Sequence, residues 1–405
     1  MSSSCPVRPG RKRDYARPVT TGGPLVERMR GFGTTVFAEM SALAVRTESI
    51  NLGQGFPDSD GPEQLLADAI DAIRTGHNQY PPGPGTPELR QAVARHQSDH
   101  YGLRWDPDTD VLVTAGATEG IASAVLALAG PGDEVVVFEP YYDSYAACVA
   151  LAGATRRTVT LRPDADGEWH FDAAELAAAV TPRTRLLLLN TPHNPTGKVF
   201  TAAELQAVAD VAIANDLVVI SDEVYEHLTF DRRTHTPIAT LPGMAERTVT
   251  IGSAGKTFSV TGWKIGWITA PAPLVTAART VKQFLTYVNG APFQPAVARA
   301  LDARSWAGLA ERLQSQRDLL CAGLTALGFD VITPQATYFA TVDVHRNGVE
   351  FCRDLPHRAG VVGIPSSVFY DSAAGDSLVR FAFCKRPEVL REALLRLEKV
   401  REDVP

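Results

Sequence analysis

Short, fully apolar runs alternate with longer stretches of helical period through the middle of the chain. Val111 to Thr114, Val135 to Phe138, Leu186 to Leu189 and Leu217 to Ile220 read as strands. Between them, Thr118 to Ala129, Phe171 to Val180 and the stretch from Thr201 to about Asn215 carry apolar residues at helical spacing. Thr201-Ala-Ala-Glu204 is a capping box, in which hydroxyl and carboxylate satisfy each other's backbone N–H groups. Strands that are apolar on both faces suit a mostly parallel sheet covered on both sides. The alternation predicts an α/β domain with its sites at the strand C-termini.

The flanks read differently. Val36 to Val45, Pro62 to Arg74 and Pro87 to His100 have helical patterns. Two segments between them cannot be regular: the bend around Gly53, Gly55 and Pro57, and the run Asn78-Gln-Tyr80-Pro-Pro-Gly-Pro-Gly85. After about Pro295 comes a long helical pattern, Ala298 to Leu327. Short strands follow around Phe329 to Thr333, Tyr338 to Val344, Val361 to Ile364 and Val379 to Phe383, then a closing helix, Pro387 to Val400. The expected division is a flexible basic extension (1–24), an N-terminal segment packing with the small domain (25–60), a large domain (61–297) and a smaller α+β domain (298–405).

Composition narrows the class. The 405 residues are 45% hydrophobic and 21% charged, as in a globular protein with a sizeable core. The net charge of -7 gives no footprint for nucleic acid. No apolar run reaches the length of a membrane span. Five cysteines, never in a Cys-x-x-Cys pair, suit a reducing compartment, here taken as the cytoplasm, and argue against a disulfide frame or a zinc site, so no metal is expected. Arg8, Arg11, Lys12, Arg13 and Arg17 make a basic lead-in, read as a flexible extension, with a transit peptide as the alternative.

The candidate chemistry centres on Thr248 to Ile268. Lys256 sits between two β-prone segments, after Gly252, Ser253, Ala254 and Gly255. Small neighbours let a bulky group approach the backbone, and Lys264, eight positions on, supplies a second cation. On that stretch alone an ordinary loop with two surface lysines is an equal reading. Gly116, Ala117 and Thr118 lie at a strand-to-helix turn, where backbone N–H groups can hold an anion; a plain turn is the bland alternative. Asn194 follows the Leu186 to Leu189 strand in a loop fixed by Pro192 and Pro195, and Asp222 closes the next strand. Together, an anion cradle, a lone strand-end acid and a lysine in a small-residue loop fit pyridoxal phosphate, which needs a lysine imine and an acid for its ring nitrogen.

The stretch Ser253-Ala-Gly-Lys256-Thr-Phe-Ser-Val-Thr-Gly-Trp-Lys264-Ile-Gly-Trp267 resembles the lysine motif of class I aminotransferases, fold type I. Asn51-Leu-Gly-Gln-Gly-Phe-Pro57, Asn190-Thr-Pro-His-Asn194-Pro and Ser221-Asp222-Glu-Val-Tyr225 match further motifs of that family, in order, from about Leu25 onward. Within it the chain resembles the kynurenine and methionine branch and the N-succinyldiaminopimelate aminotransferases, through Asn78 to Gly85, Tyr142 to Tyr145 and Gly290 to Pro295.

The resemblance implies roles. Lys256 would hold the cofactor and move a proton, Asp222 would pair with the ring nitrogen, and Asn194 and Tyr225 would bond the ring's phenolic oxygen. Tyr141 would stack on the ring. Gly116, Ala117, Thr118, Ser253 and Lys264 would hold the phosphate, joined by Tyr80 from a neighbouring subunit in a homodimer with shared sites. Arg380 would clamp the substrate α-carboxylate, with Gly55 and Asn194 completing the grip. An amino-acid donor and a 2-oxo-acid acceptor would be the partners. Two departures bear on the donor: Val288 follows Tyr287 where aromatic-preferring relatives often carry histidine, and Thr118 stands where a tyrosine often lines the pocket. The preferred donor is N-succinyl-LL-diaminopimelate, with Lys282 and Arg279 as candidates for a second carboxylate. The alternatives are a kynurenine, glutamine or methionine aminotransferase, or a cysteine-conjugate β-lyase. A pyridoxal-phosphate-sensing regulator would need a DNA-binding domain ahead of Leu25.

Overall fold

The computed structural model describes residues 25–33 and 35–403. The basic extension expected over residues 1–24 lies outside these. A seven-stranded sheet forms the centre, from Val111–Ala115 (β1), Glu134–Glu139 (β2), Thr155–Thr160 (β3), Thr184–Asn190 (β4), Val218–Asp222 (β5), Thr248–Ser253 (β6) and Ile265–Thr269 (β7). The spatial order is β1-β7-β6-β5-β4-β2-β3. Only β7 runs antiparallel to its neighbours. Strands β2 and β6 are buried throughout, and apolar clusters lie on both faces.

Register decides what the sheet presents. Asn190 pairs with Asp222, Asp222 with Ile251, and Gly266 with Ser253. The C-terminal ends of β1, β4, β5 and β6, with the start of β7, therefore share one edge. Helix Pro87–Tyr101 (α1) packs beside β1, and Gly116–Leu128 (α2) starts directly from it. Helix Asp143–Ala152 (α3) packs against α2. The capping box at Thr201 forms as the sequence implies and opens Ala202–Ala214.

A second sheet of four strands carries Asp330–Ile332 (β8), Phe339–Asp343 (β9), Ile364–Pro365 (β10) and Leu378–Ala382 (β11), in the order β8-β9-β11-β10. Ile50–Asn51 pairs in parallel with Val361–Val362, so the N-terminal segment joins this half of the molecule. The expected single helical stretch from Ala298 to Leu327 is two helices, Phe293–Asp302 and Leu309–Ala326. Gly308 separates them at φ 79°, a left-handed turn suited to glycine. No helix among the described residues is long and apolar enough to cross a membrane.

Candidate active site

The shared strand edge opens on a cavity of about 360 Å³. It is lined by Gly55, Gly116, Ala117, Thr118, Asn194, Asp222, Tyr225, Ser253, Lys256, Lys264 and Arg380, all singled out from the sequence. Each arrives by a short local device. β6 ends at Ser253 and one helical turn, Ala254–Thr257, lifts Lys256 into the cavity. Its Nζ donates to the Tyr338 hydroxyl at 2.8 Å, which donates in turn to the Gly55 carbonyl at 2.8 Å. Burial lowers the amine pKa to about 8, so a neutral fraction exists near physiological pH.

Asp222 is the last residue of β5 and only 4% exposed. Burial raises its pKa to about 6, against the hydrogen bond from the Tyr145 hydroxyl at 2.5 Å that favours the carboxylate. A buried acid with so little compensation favours a cationic or N–H partner. Asn190 fixes its surroundings: its Nδ2 donates to the Asp222 carbonyl at 2.8 Å, while its Oδ1 accepts from the Asn194 backbone N–H at 2.7 Å. The amide of Asn194 is thereby aimed at the same space. Tyr225 lies beside Asp222, and burial pushes its hydroxyl pKa up.

Arg380, on β11, is 2% exposed. Its Nη1 donates to Asn194 Oδ1 at 3.2 Å and Nη2 to the Gly53 carbonyl at 3.1 Å. Its Nε is buried with no partner. The guanidinium lies 3.9 Å over the Phe339 ring, with Phe369 and Phe37 also close. Burial lowers its pKa to about 10. A guanidinium that lines the cavity, held by aromatic faces and neutral acceptors, suits an incoming anion.

The opposite wall is a second anion cradle. Gly116 opens α2 at φ +71°. Lys264 follows the short helical turn Thr261–Trp263 in a left-handed conformation and reaches Thr118 Oγ1 at 3.5 Å. Gly266 makes the approach possible: a Cβ there would meet the Gly116 carbonyl carbon at 2.6 Å and the Ala117 nitrogen at 2.7 Å. Free N–H groups at a helix start, two hydroxyls and a lysine suit a phosphate.

Four residues singled out from the sequence, Tyr141, Tyr80, Lys282 and Arg279, lie outside the cavity. Tyr141 does not line the cavity. Its hydroxyl donates to Asp371 at 2.6 Å, its ring lies under Arg156, and its backbone N–H bonds the Phe369 carbonyl. These contacts hold the ring between the sheet edge and the 369–371 loop. Tyr142, the next residue and the N-cap of α3, lines the cavity instead. Tyr80 is 81% exposed and lies outside this cavity, edge-on to Tyr287 at 5.5 Å. Neither candidate for a second carboxylate lines the cavity: both sit in the last turn of helix Ala272–Lys282, where Lys282 is buried and donates to the Tyr287 carbonyl and Arg279 is exposed.

Sequence reasoning missed Tyr338, Tyr145 and Asn190 as supports. Asn190 and Tyr145 lie inside quoted motifs, and their positions near strand ends were the available signal. Tyr338 lies 82 residues from the lysine it contacts, with no local pattern to mark it.

The donor set fits pyridoxal phosphate: an amine of lowered pKa, a buried acid, a phosphate cradle and a separate guanidinium occupy one cavity. The family model for aminotransferase class I and II matches residues 47–397. This chain belongs to that family. Among relatives of this aminotransferase, a probable N-succinyldiaminopimelate aminotransferase of Mycobacterium tuberculosis is 55% identical over 392 residues, 93% of this chain and 98% of the relative. A solved structure of the N-succinyldiaminopimelate aminotransferase from Mycobacterium tuberculosis superposes with a TM-score of 0.91 at 55% identity, covering 92% of this chain and 99% of the other. The methionine aminotransferase of Escherichia coli is 39% identical over 388 residues, 94% of this chain and all of the relative.

Proposed function

We propose that this aminotransferase uses pyridoxal phosphate to move the amino group of N-succinyl-LL-diaminopimelate to 2-oxoglutarate, a step of lysine biosynthesis, as a cytoplasmic homodimer. The observation that carries the reading is the full-length 55% identity to the mycobacterial relative, joined to Lys256, Asp222 and Arg380 lining one cavity. Bound there, pyridoxal phosphate supplies an electron-withdrawing ring that stabilises the charge left when the substrate α-carbon loses its proton.

The chain's own residues do the rest. Arg380 binds the donor's α-carboxylate through its planar fork and, with Asn194, fixes which bond at the α-carbon points to Lys256. The lowered pKa of Lys256 gives it a lone pair for covalent attachment and for carrying a proton to and from that carbon. Tyr338 holds the amine near the Gly55 wall until it reacts. Asp222 would face the ring nitrogen, Tyr225 and Asn194 its phenolic oxygen, and Tyr142 one face of the ring. Thr118, Ser253, Lys264 and the N–H groups from Gly116 onward would hold the phosphate. The donor leaves as its keto acid before the acceptor takes the same seat on Arg380. Tyr80 would complete the phosphate site of the second subunit.

A donor panel tests the assignment. With 2-oxoglutarate as acceptor, kcat/KM for succinyldiaminopimelate is expected to exceed that for methionine, kynurenine and glutamine by at least about tenfold, or 1.4 kcal/mol of transition-state binding. Methionine or kynurenine in first place would overturn the substrate while leaving the aminotransferase chemistry standing.

A further inference from the structure

Behind the segment that carries Asp222 and Tyr225, the same turn continues into Glu226 and His227. Glu226 is buried, and its backbone N–H closes the turn on the Glu223 carbonyl at 2.9 Å. Both side chains point away from the cavity toward α1, where they meet His96. His96 Nε2 lies 2.8 Å from His227 Nε2 and 4.0 Å from Glu226 Oε2. All three ligand-type atoms fall within 4.8 Å of one another. These separations bracket the roughly 3.3 Å edge of a tetrahedron with bonds of about 2.0–2.1 Å.

We propose that His96, His227 and Glu226 form a site for a divalent transition-metal ion of the zinc class, stapling α1 to the turn that carries Asp222 and Tyr225. Two imidazoles and a carboxylate are a borderline-soft donor set that zinc prefers over magnesium or calcium. The supports of such a site are also in place. The Tyr101 hydroxyl donates to Glu226 Oε2 at 2.8 Å and sets the carboxylate's direction. Trp306 stacks on the His227 ring at 4.2 Å and meets His96 edge-on at 5.4 Å, so neither ring swings freely. Gln97 sits 3.4 Å from His96 Nδ1 through its Nε2, while its buried Oε1 has no partner. With the ion on Nε2, His96 carries its proton on Nδ1. Turning the Gln97 amide over then gives that N–H an acceptor and the orphan oxygen a donor, the usual outer support of a ligating histidine.

The exchange balances. Without an ion, the two Nε2 atoms share one proton in their hydrogen bond. Entry of the dication moves that proton, through water, to the Nδ1 of the ring that carried it, so both rings stay neutral and both Nε2 atoms give their lone pairs to the metal. His100, exposed and stacked on His96 at 4.6 Å, lies on the solvent side of the cluster and marks the route in.

The test uses the cofactor-loaded enzyme, stripped with a chelator and then titrated with zinc chloride alone. The expected result is one equivalent of zinc per chain and a raised thermal midpoint. Glu226→Gln and His96→Asn should each weaken zinc binding at least tenfold. The surface histidines His170 and His345 also sit beside carboxylates, so the double variant His170→Ala, His345→Ala serves as control and should bind as the parent does. No zinc uptake, or uptake lost in the control but kept in Glu226→Gln, would overturn the proposal. Should the cluster variants fail to fold, cobalt titrated into the parent enzyme decides. Tetrahedral d–d absorption that the control double variant retains supports the site; its absence, or its loss in that variant, rejects it.

Discussion

At the scale of single residues, the site is built from groups whose functional state is costly in the empty protein. Asp222 has a folded pKa of about 6, raised from the ordinary carboxylate value by burial. The folded state therefore holds its proton more tightly than the unfolded chain does. The associated stability is present below about pH 4, fades as pH rises through about 6, and is gone at neutral pH. The ionised acid thus costs the cofactor-free protein up to about 3 kcal/mol. Asp222→Asn is expected to raise the thermal midpoint of the cofactor-free protein at pH 7–8, to lose that advantage below pH 4, and to abolish transamination. Calorimetry across pH together with a turnover assay checks all three; a variant less stable than the parent at neutral pH would contradict the account. Arg380 is costly in the same way, since burial disfavours its charge and its Nε has no partner.

At the scale of elements, a glycine decides whether a strand and a helix can share one anion site. β7 passes under the start of α2, where a methyl group on Gly266 would overlap the Gly116–Ala117 peptide. Gly266→Ala should displace that turn, weaken cofactor binding at least about tenfold and cost roughly 1–3 kcal/mol of stability. Equilibrium dialysis and denaturant melts read the two effects, and unchanged affinity would argue against the cradle. The strands most legible in the sequence were the apolar ones: Leu186 to Leu189 announces the core of β4, which is buried on both faces. The edge strand β3, Thr-Arg-Arg-Thr-Val-Thr, was silent because one side meets solvent. The reversed direction of β7 was equally silent, since periodicity carries no direction. Site residues next to strand ends were legible from position and motif. The exchange of Tyr141 for Tyr142 was not, because the strand ends at Glu139 and side-chain alternation no longer predicts facing. The break between the two late helices was hidden by apolar spacing that continues through it.

At the scale of the whole molecule, a single chain leaves a cluster of large side chains open to solvent. Tyr80, Phe284, Leu285 and Tyr287 are all exposed, Phe284 by 83%. Tyr80 and Tyr287 pack together beside the hollow formed by Asn78 to Pro81 and Val288 to Pro292. The proposed homodimer would cover this surface and bring Tyr80 to a second phosphate cradle. Sedimentation equilibrium should therefore give twice the chain mass of 43.5 kDa at micromolar concentration, and Tyr80→Ala should weaken cofactor retention. A stable, fully active monomer would refute a shared site.

The account rests on one amine in one loop being the point of covalent attachment. Incubating the protein with pyridoxal phosphate, reducing with borohydride and mapping the product by peptide mass spectrometry examines this directly. One labelled peptide, modified at Lys256 and absent from a Lys256→Ala variant, is the expected result. Stoichiometric label at Lys264 or elsewhere, with Lys256 untouched, would contradict it.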